Sequence, residues 1–223
     1  MTMRIAVAIS GRGSNLEALL RALGPGAPAE VVLVLSDRSG AAGLSLARER
    51  RIPTAVLENP SDGTAWLTLL GAHQVQLVVL AGYVRLVPAS VIAAYRGKII
   101  NVHPALLPAF GGKGMYGRRV HEAVLASGAR ESGASVHLVD EDYDRGAVLA
   151  RARVPVVAGD TAERLAERVL EVEHRLLPAV VLAAARAGRP VPLSESGVGS
   201  QESGVPESPD SRLLTPDPRP RAN

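Results

Sequence analysis

The chain has 223 residues, a formal net charge of +3 and no cysteine, which excludes disulfides, thiolate nucleophiles and Cys-ligated zinc. Its arginines are spread without a Lys/Arg block and aromatics make up only 3% of residues, so the usual footprint of a nucleic-acid binder is missing and the diffuse positive field fits anionic small molecules just as well. The five histidines form no H-E-x-x-H or other i, i+4 pair, no apolar run could span a bilayer, and residues 1–10 enter a strand pattern directly; no metal, no membrane contact and a cytoplasmic setting are expected.

Residues 4–10 (RIAVAIS) read as a short apolar strand, and 14–23 carry Leu16, Leu19, Leu20 and Leu23 at helical spacing. Between them lies Gly11-Arg12-Gly13-Ser14-Asn15. Ser14 with Glu17 fits a capping box, with Ser14 as the cap. The same glycines before a helix start also suit a phosphate, because free N–H groups and the positive dipole end meet there. A Walker A loop is absent, and the dinucleotide fingerprint fails where Leu16 replaces its third glycine.

Strand candidates at 30–35, 54–57 and 77–80 alternate with helices at 41–51 and about 64–72. That alternation predicts an α/β fold: one Rossmann-like domain, its mostly parallel sheet covered by helices on both faces. Asp37, in S-D-R-S-G, reads as a turn residue, with a ribose-binding carboxylate as the other reading.

The stretch 80–108 reads as strand, loop, short helix, strand, loop. Its β-branched run at 98–102 ends in Asn101-Val102-His103-Pro104, so Asn101 and His103 share one face near the carboxyl edge, where open α/β sheets bind ligands. An imidazole can exchange protons near neutrality, and a carboxamide NH2 can donate to an oxyanion. The pair suits acyl or one-carbon transfer; satisfying buried backbone groups at the strand end is the plainer alternative.

A glycine-rich FGGKGMYG loop follows, then a helix at about 118–127 and a partly alternating strand at 132–139 with Ser135 and His137 on one face. The acidic turn Asp140-Glu141-Asp142-Tyr143-Asp144 is open to three readings: a solvated loop, a cation site or the partner of a histidine. A strand region at 147–157 precedes a long helix capped at 160–163 and reaching about 187, with Pro178 inside it. From residue 189 the composition turns to Pro, Ser and Gly, so the expected organisation is a domain at 1–188 and a disordered tail at 189–223.

Taken together, S-G-x-G-S-N at 10–15, N-x-H-P-x-L-L-P at 101–108, G-x-S-V-H-x-V at 133–139 and E-H at 173–174 make the chain resemble the phosphoribosylglycinamide formyltransferase family over about residues 4–188. The resemblance implies formyl transfer from 10-formyltetrahydrofolate to the amine of glycinamide ribonucleotide, in purine synthesis, by a monomer or homodimer. It implies Asn101, His103 and Asp144 as the catalytic trio. Gly13, Ser14, Asn15, Leu170 and Glu173 match the ribonucleotide site. Val84, Arg85, Leu86 and Val87, with Asn101 and Asp140, Glu141, Asp142, Tyr143 and Asp144, match the folate site. A cis Leu107–Pro108 bond is also implied. One departure stands out: some relatives carry an Arg for the folate tail before the third helix, where this chain has Asn59-Pro60-Ser61-Asp62.

Rival readings fare less well. Methionyl-transfer-RNA formyltransferase shares the N-x-H-P motif but resembles a longer chain with a nucleic-acid-binding domain, and formyltetrahydrofolate deformylase adds an N-terminal regulatory domain. A nicotinamide-dinucleotide module built on Gly11, Gly13 and Asp37 is disfavoured by Leu16, and a phospho-ligand binder without catalysis leaves Asn101, His103 and Asp144 without a role.

Overall fold

A computed structural model describes residues 2–193. Its strands are β1 (Met3–Ile9), β2 (Ala29–Ser36), β3 (Thr54–Val56), β4 (Leu77–Leu80), β5 (Ile99–His103), β6 (Glu131–Leu138) and β7 (Val148–Pro155). The helices are α1 (Ser14–Ala22), α2 (Ala42–Glu49), α3 (Gly63–Ala72), α4 (Ala89–Ala94), α5 (Arg118–Ala126) and α6 (Ala162–Ala187). One seven-stranded sheet runs in the order β3-β2-β1-β4-β5-β6-β7. The first five strands are parallel, as the alternation predicts; β6 and β7 are antiparallel additions.

Parallel strands buried on both faces need apolar side chains at every position, and β1 and β4 supply them: Ile5, Ala6, Val7, Ala8 and Ile9, and Leu77, Val78 and Val79, are fully buried. Alternate side chains feed two cores. Ile5, Val7, Leu77 and Ile100 pack with α1, α2, α5 and α6, while Ala6, Ala8, Val78 and Ile99 pack with Trp66 of α3 and Val91 of α4. The chain reverses its order between β1 and β4, which opens a crevice beyond their carboxyl ends. There Ser10 N–H donates to the Gly82 carbonyl at 3.2 Å, and Val84 N–H donates to Ser10 Oγ at 3.1 Å.

α6 buries Leu165, Val169, Leu176, Leu177 and Val180, each worth roughly 1.5–3 kcal/mol on burial, and runs unbroken through Pro178. Thr161 caps it, accepting from Arg164 N–H at 3.3 Å. Beyond α6, Leu193 packs against the core and its N–H donates to the Leu149 carbonyl on β7 at 2.8 Å. The rest of the expected tail, 194–223, lies outside the described residues.

Candidate active site

The phosphate-type loop lies in the crevice after β1, but its capping differs from the expectation. Gly13, at φ 83°, is the N-cap of α1, its carbonyl accepts from Glu17 N–H at 2.8 Å, and no side chain caps the helix. Ser14 is the first helical residue and not the cap. Glu17 pairs with Arg21 at 2.5 Å and does not close a capping box. The cause is steric: a Cβ on Gly13 would stand 2.7 Å from Gly43 Cα, and the Gly11 carbonyl accepts from Gly43 N–H at 3.1 Å, so the loop is pressed onto α2. Positive φ costs glycine nothing.

Asn15 turns inward from this loop, and its Nδ2 donates to Glu173 Oε2 at 2.6 Å. Both side chains are buried. Burial pushes the Glu173 carboxyl up to about 7, against the pull of the Asn15 hydrogen bond. Leu170, half-buried, lies one turn earlier on the same side of α6. Gly13, Ser14, Asn15, Leu170 and Glu173 therefore form one neighbourhood between α1 and α6.

The second neighbourhood lies on β5. Register pairs Asn101 with His137 and His103 with Ser135, and the 139–147 connection folds back over them. Asp144 holds φ 56°, a left-handed conformation Asp tolerates, and Gly146 lets the backbone close in, since a Cβ there would meet the Leu138 carbonyl at 1.8 Å. Asn101 Nδ2 is 3.0 Å from His137 Nε2 and donates to Asp144 Oδ1 at 3.4 Å. His103 Nδ1 is 3.6 Å from Asp144 Oδ2, and its Nε2 donates to the Phe110 carbonyl at 2.8 Å. Asp144 Oδ2 also accepts from Gly112 N–H at 2.9 Å. Asn101, His103 and Asp144, spread over 44 residues of sequence, thus form one cluster.

Burial pushes Asp144 upward, but the neighbouring His137 and His103 rings and the Gly112 N–H outweigh it and hold the carboxyl below its usual value. For His103 the reverse occurs. Burial lowers its pKa more than Asp144 and the Phe110 carbonyl raise it, so the ring stays below its ordinary value despite the carboxylate beside it.

Sequence reasoning missed one member. His137, 2% exposed, bonds the Asn101 amide and lies 3.4 Å from Asp144 Oδ1; its Nδ1–H donates to the Leu138 carbonyl at 2.8 Å, leaving Nε2 to accept from Asn101. The signal was its placement with Ser135 on one strand face, but only the β5–β6 register brings it to Asn101.

The folate segments do not all line one cavity. A cavity of about 520 Å³ is walled by Ile92, Arg96, Val139, Asp140, Glu141 and Asp142 among others, but not by Val84, Arg85, Leu86 or Val87. Those four follow β4 at the crevice, with Arg85 and Leu86 exposed and Val87 buried, while Tyr143 is also exposed. Asp37, whose side chain is fully buried, accepts from Arg85 Nε at 3.2 Å. It is therefore an ion-pair anchor, and the turn is made by Ser36 Oγ, which accepts from Arg38 N–H at 3.1 Å. In the departing segment, Asn59 Oδ1 accepts from Ser61 N–H and Asp62 caps α3 through Thr64 and Ala65 N–H, so these polar groups serve the turn. No helix among the described residues is long and apolar enough to cross a membrane.

Residues 3–181 match the family model described as formyl transferase. The chain is 42% identical over 211 residues to a chloroplastic phosphoribosylglycinamide formyltransferase of Arabidopsis thaliana, covering 91% of this chain and 69% of that one. It is 44% identical to the corresponding protein of Vigna unguiculata, covering 80% of this chain and 59% of that one, so it spans under two thirds of that relative. The crystal structure of phosphoribosylglycinamide formyltransferase from Brucella melitensis superposes with a TM-score of 0.74 at 43% identity, covering 87% of this chain and all of that one. The chain belongs to the formyl transferase family, and within it to the phosphoribosylglycinamide formyltransferases.

Proposed function

We propose that the chain moves the formyl group of 10-formyltetrahydrofolate to the amine of glycinamide ribonucleotide, at a centre made of Asn101, His103 and Asp144. The observation that carries this reading is the convergence of those three side chains at the end of β5, with Asp144 3.4 Å from Asn101 and 3.6 Å from His103. The phosphate is held at Gly13, Ser14 and Asn15, and the Glu173 carboxylate, with Leu170 beside it, faces the glycinamide end. Folate lies between the 140–144 connection and the segment after β4.

An unprotonated amine is already a nucleophile, so the site needs orientation and charge stabilisation, not a covalent intermediate. As the amine nitrogen bonds to the formyl carbon, negative charge develops on the formyl oxygen. Asn101 Nδ2 can donate there by giving up its long 3.4 Å contact to Asp144. The neutral His103 ring takes the proton released by the attacking nitrogen, becoming an imidazolium beside Asp144 and the oxyanion. It returns that proton to the folate nitrogen as the old carbon–nitrogen bond breaks. Burial keeps the ring neutral before attack, and Asp144 stabilises it once charged.

The test is direct: purified protein, glycinamide ribonucleotide and 10-formyltetrahydrofolate, with a chelator present, followed by mass spectrometry of the ribonucleotide. A gain of one formyl group is expected. Hydrolysis of the folate without ribonucleotide formylation would overturn the reading.

A further inference from the structure

β5, β6 and β7 carry a row of three side chains in register: His103 opposite Ser135, and Ser135 opposite Arg151. All three leave the sheet on the face away from α5 and α6, because their neighbours Val102, Val136, Ala150 and Ala152 turn to the other core. The first is the imidazole of the active centre. The other two close on the turn that follows it.

Ser135 Oγ donates to the Ala105 carbonyl at 2.7 Å and accepts from Leu107 N–H at 3.0 Å. Arg151 gives two donors to a single acceptor: Nε and Nη2 meet the Leu107 carbonyl at 3.0 and 2.8 Å. Both backbone groups of Leu107 are thus held by the row. Three residues on, the Phe110 carbonyl accepts from His103 Nε2, and two further on, Gly112 N–H donates to Asp144. The segment between is pressed tightly: a Cβ on Gly111 would come 2.5 Å from Leu107 Cδ2 and 3.0 Å from Asp144 Cβ. Displacing Leu107 must therefore move Phe110 and Gly112, the two backbone partners of the active pair.

The geometry points to Arg151 as a positioning residue for the transfer reaction, clamping the Leu107 carbonyl so that the 105–112 segment holds His103 and Asp144 in register. This rests on the proposed function for its chemistry, but the clamp itself can be read without turnover. A guanidinium suits the task, since its planar fork delivers two parallel donors from a rigid group. The next outward side chain of β7, Arg153, makes instead an exposed ion pair with Glu131 at 2.7 Å, and serves as the internal control.

Two readouts test the clamp on the full chain: transfer kinetics, and imidazole nitrogen NMR of His103 across pH. Arg151→Gln should lower kcat about 10- to 100-fold, the scale of a small misplacement of a reacting group, with KM for the ribonucleotide changed less than about twofold. The His103 Nε2–H signal should broaden or shift, and the ring should titrate lower as the Phe110 carbonyl is lost. Arg151→Lys, keeping the charge and one strong donor, should recover part of kcat and is the variant to read if Gln loosens the fold. Arg153→Gln should leave both readouts as in the wild type. Wild-type kcat and His103 signals in both Arg151 variants would overturn the clamp, as would equal damage from Arg153→Gln. If the wild type itself transferred no formyl group, the functional reading would fall, while the His103 signals would still decide the clamp.

Discussion

Asn15 Nδ2 donates to Glu173 Oε2 across 2.6 Å, joining the start of α1 to the middle of α6 in a buried pair. Glu173 has a folded pKa of about 7, raised by burial above its ordinary value of 4.5. For a raised carboxyl, stability is fully present below the unfolded value and is lost as pH rises through the folded one. Glu173→Gln removes that loss while still accepting from Asn15. The variant should match the wild type near pH 4.5 and be more stable above pH 7 by up to about 3 kcal/mol, as denaturant midpoints at the two ends would show. Its KM for the ribonucleotide should rise. A stability gap independent of pH would contradict the assignment.

Gly111→Ala should damage turnover, because the added methyl would come 2.5 Å from Leu107 Cδ2 and 3.0 Å from Asp144 Cβ, so these neighbours must shift. Overpacking of this kind costs about 1–3 kcal/mol of stability, and displacement of Asp144 should cost on the order of 10²-fold in kcat. Gly71→Ala in α3 meets nothing within 4 Å and should stabilise by about 0.5–1 kcal/mol without touching kcat. Comparing melting curves and kcat of the two variants checks both statements.

Ser14→Ala isolates binding from helix stability, because Gly13 caps α1 and the capping-box function of Ser14 is absent. The melting temperature should stay put. Loss of a charge-assisted hydrogen bond to phosphate should weaken ribonucleotide binding by about 1–3 kcal/mol, read by calorimetry. A fall in melting temperature with unchanged affinity would reverse the assignment.

Truncation after Leu193 should preserve melting temperature and turnover, since the Pro-, Ser- and Gly-rich composition beyond it offers little apolar surface to bury. Truncation after Gly188 also removes Leu193 and its bond to Leu149, and should lower the melting temperature. Equal melting of the two proteins would mean that the Leu193 contact contributes nothing.

The parallel half of the sheet was legible because β1, β4 and β5 are short, doubly buried and rich in Val, Ile and Leu, and turn signals separate them. Asn101 and His103 were legible because a period of two fixes their common face. What could not be read depends on distance in sequence. The antiparallel register that sets His137 against Asn101 and Arg151 against Ser135 has no local signature. Nor does the pressure of α2 on the Gly13 loop, which moved the cap from Ser14 to Gly13. The pKa direction of His103 escaped for a similar reason: the sequence shows its charged neighbour but not the depth of its burial.

The most direct test of the centre is a double-mutant cycle on kcat with His103→Ala and Asp144→Asn. General acid–base catalysis is worth about 10²–10⁴ in rate, so each single change should cost that much, and Asp144→Asn should move the His103 titration and its limb of the pH profile lower, since a charge that raises the ring's pKa is gone. Residues acting as one unit give non-additive losses, so the double variant should be little slower than the slower single one, with ribonucleotide binding retained. Losses that multiply, or an Asp144→Asn protein with wild-type kcat and pH profile, would contradict the account.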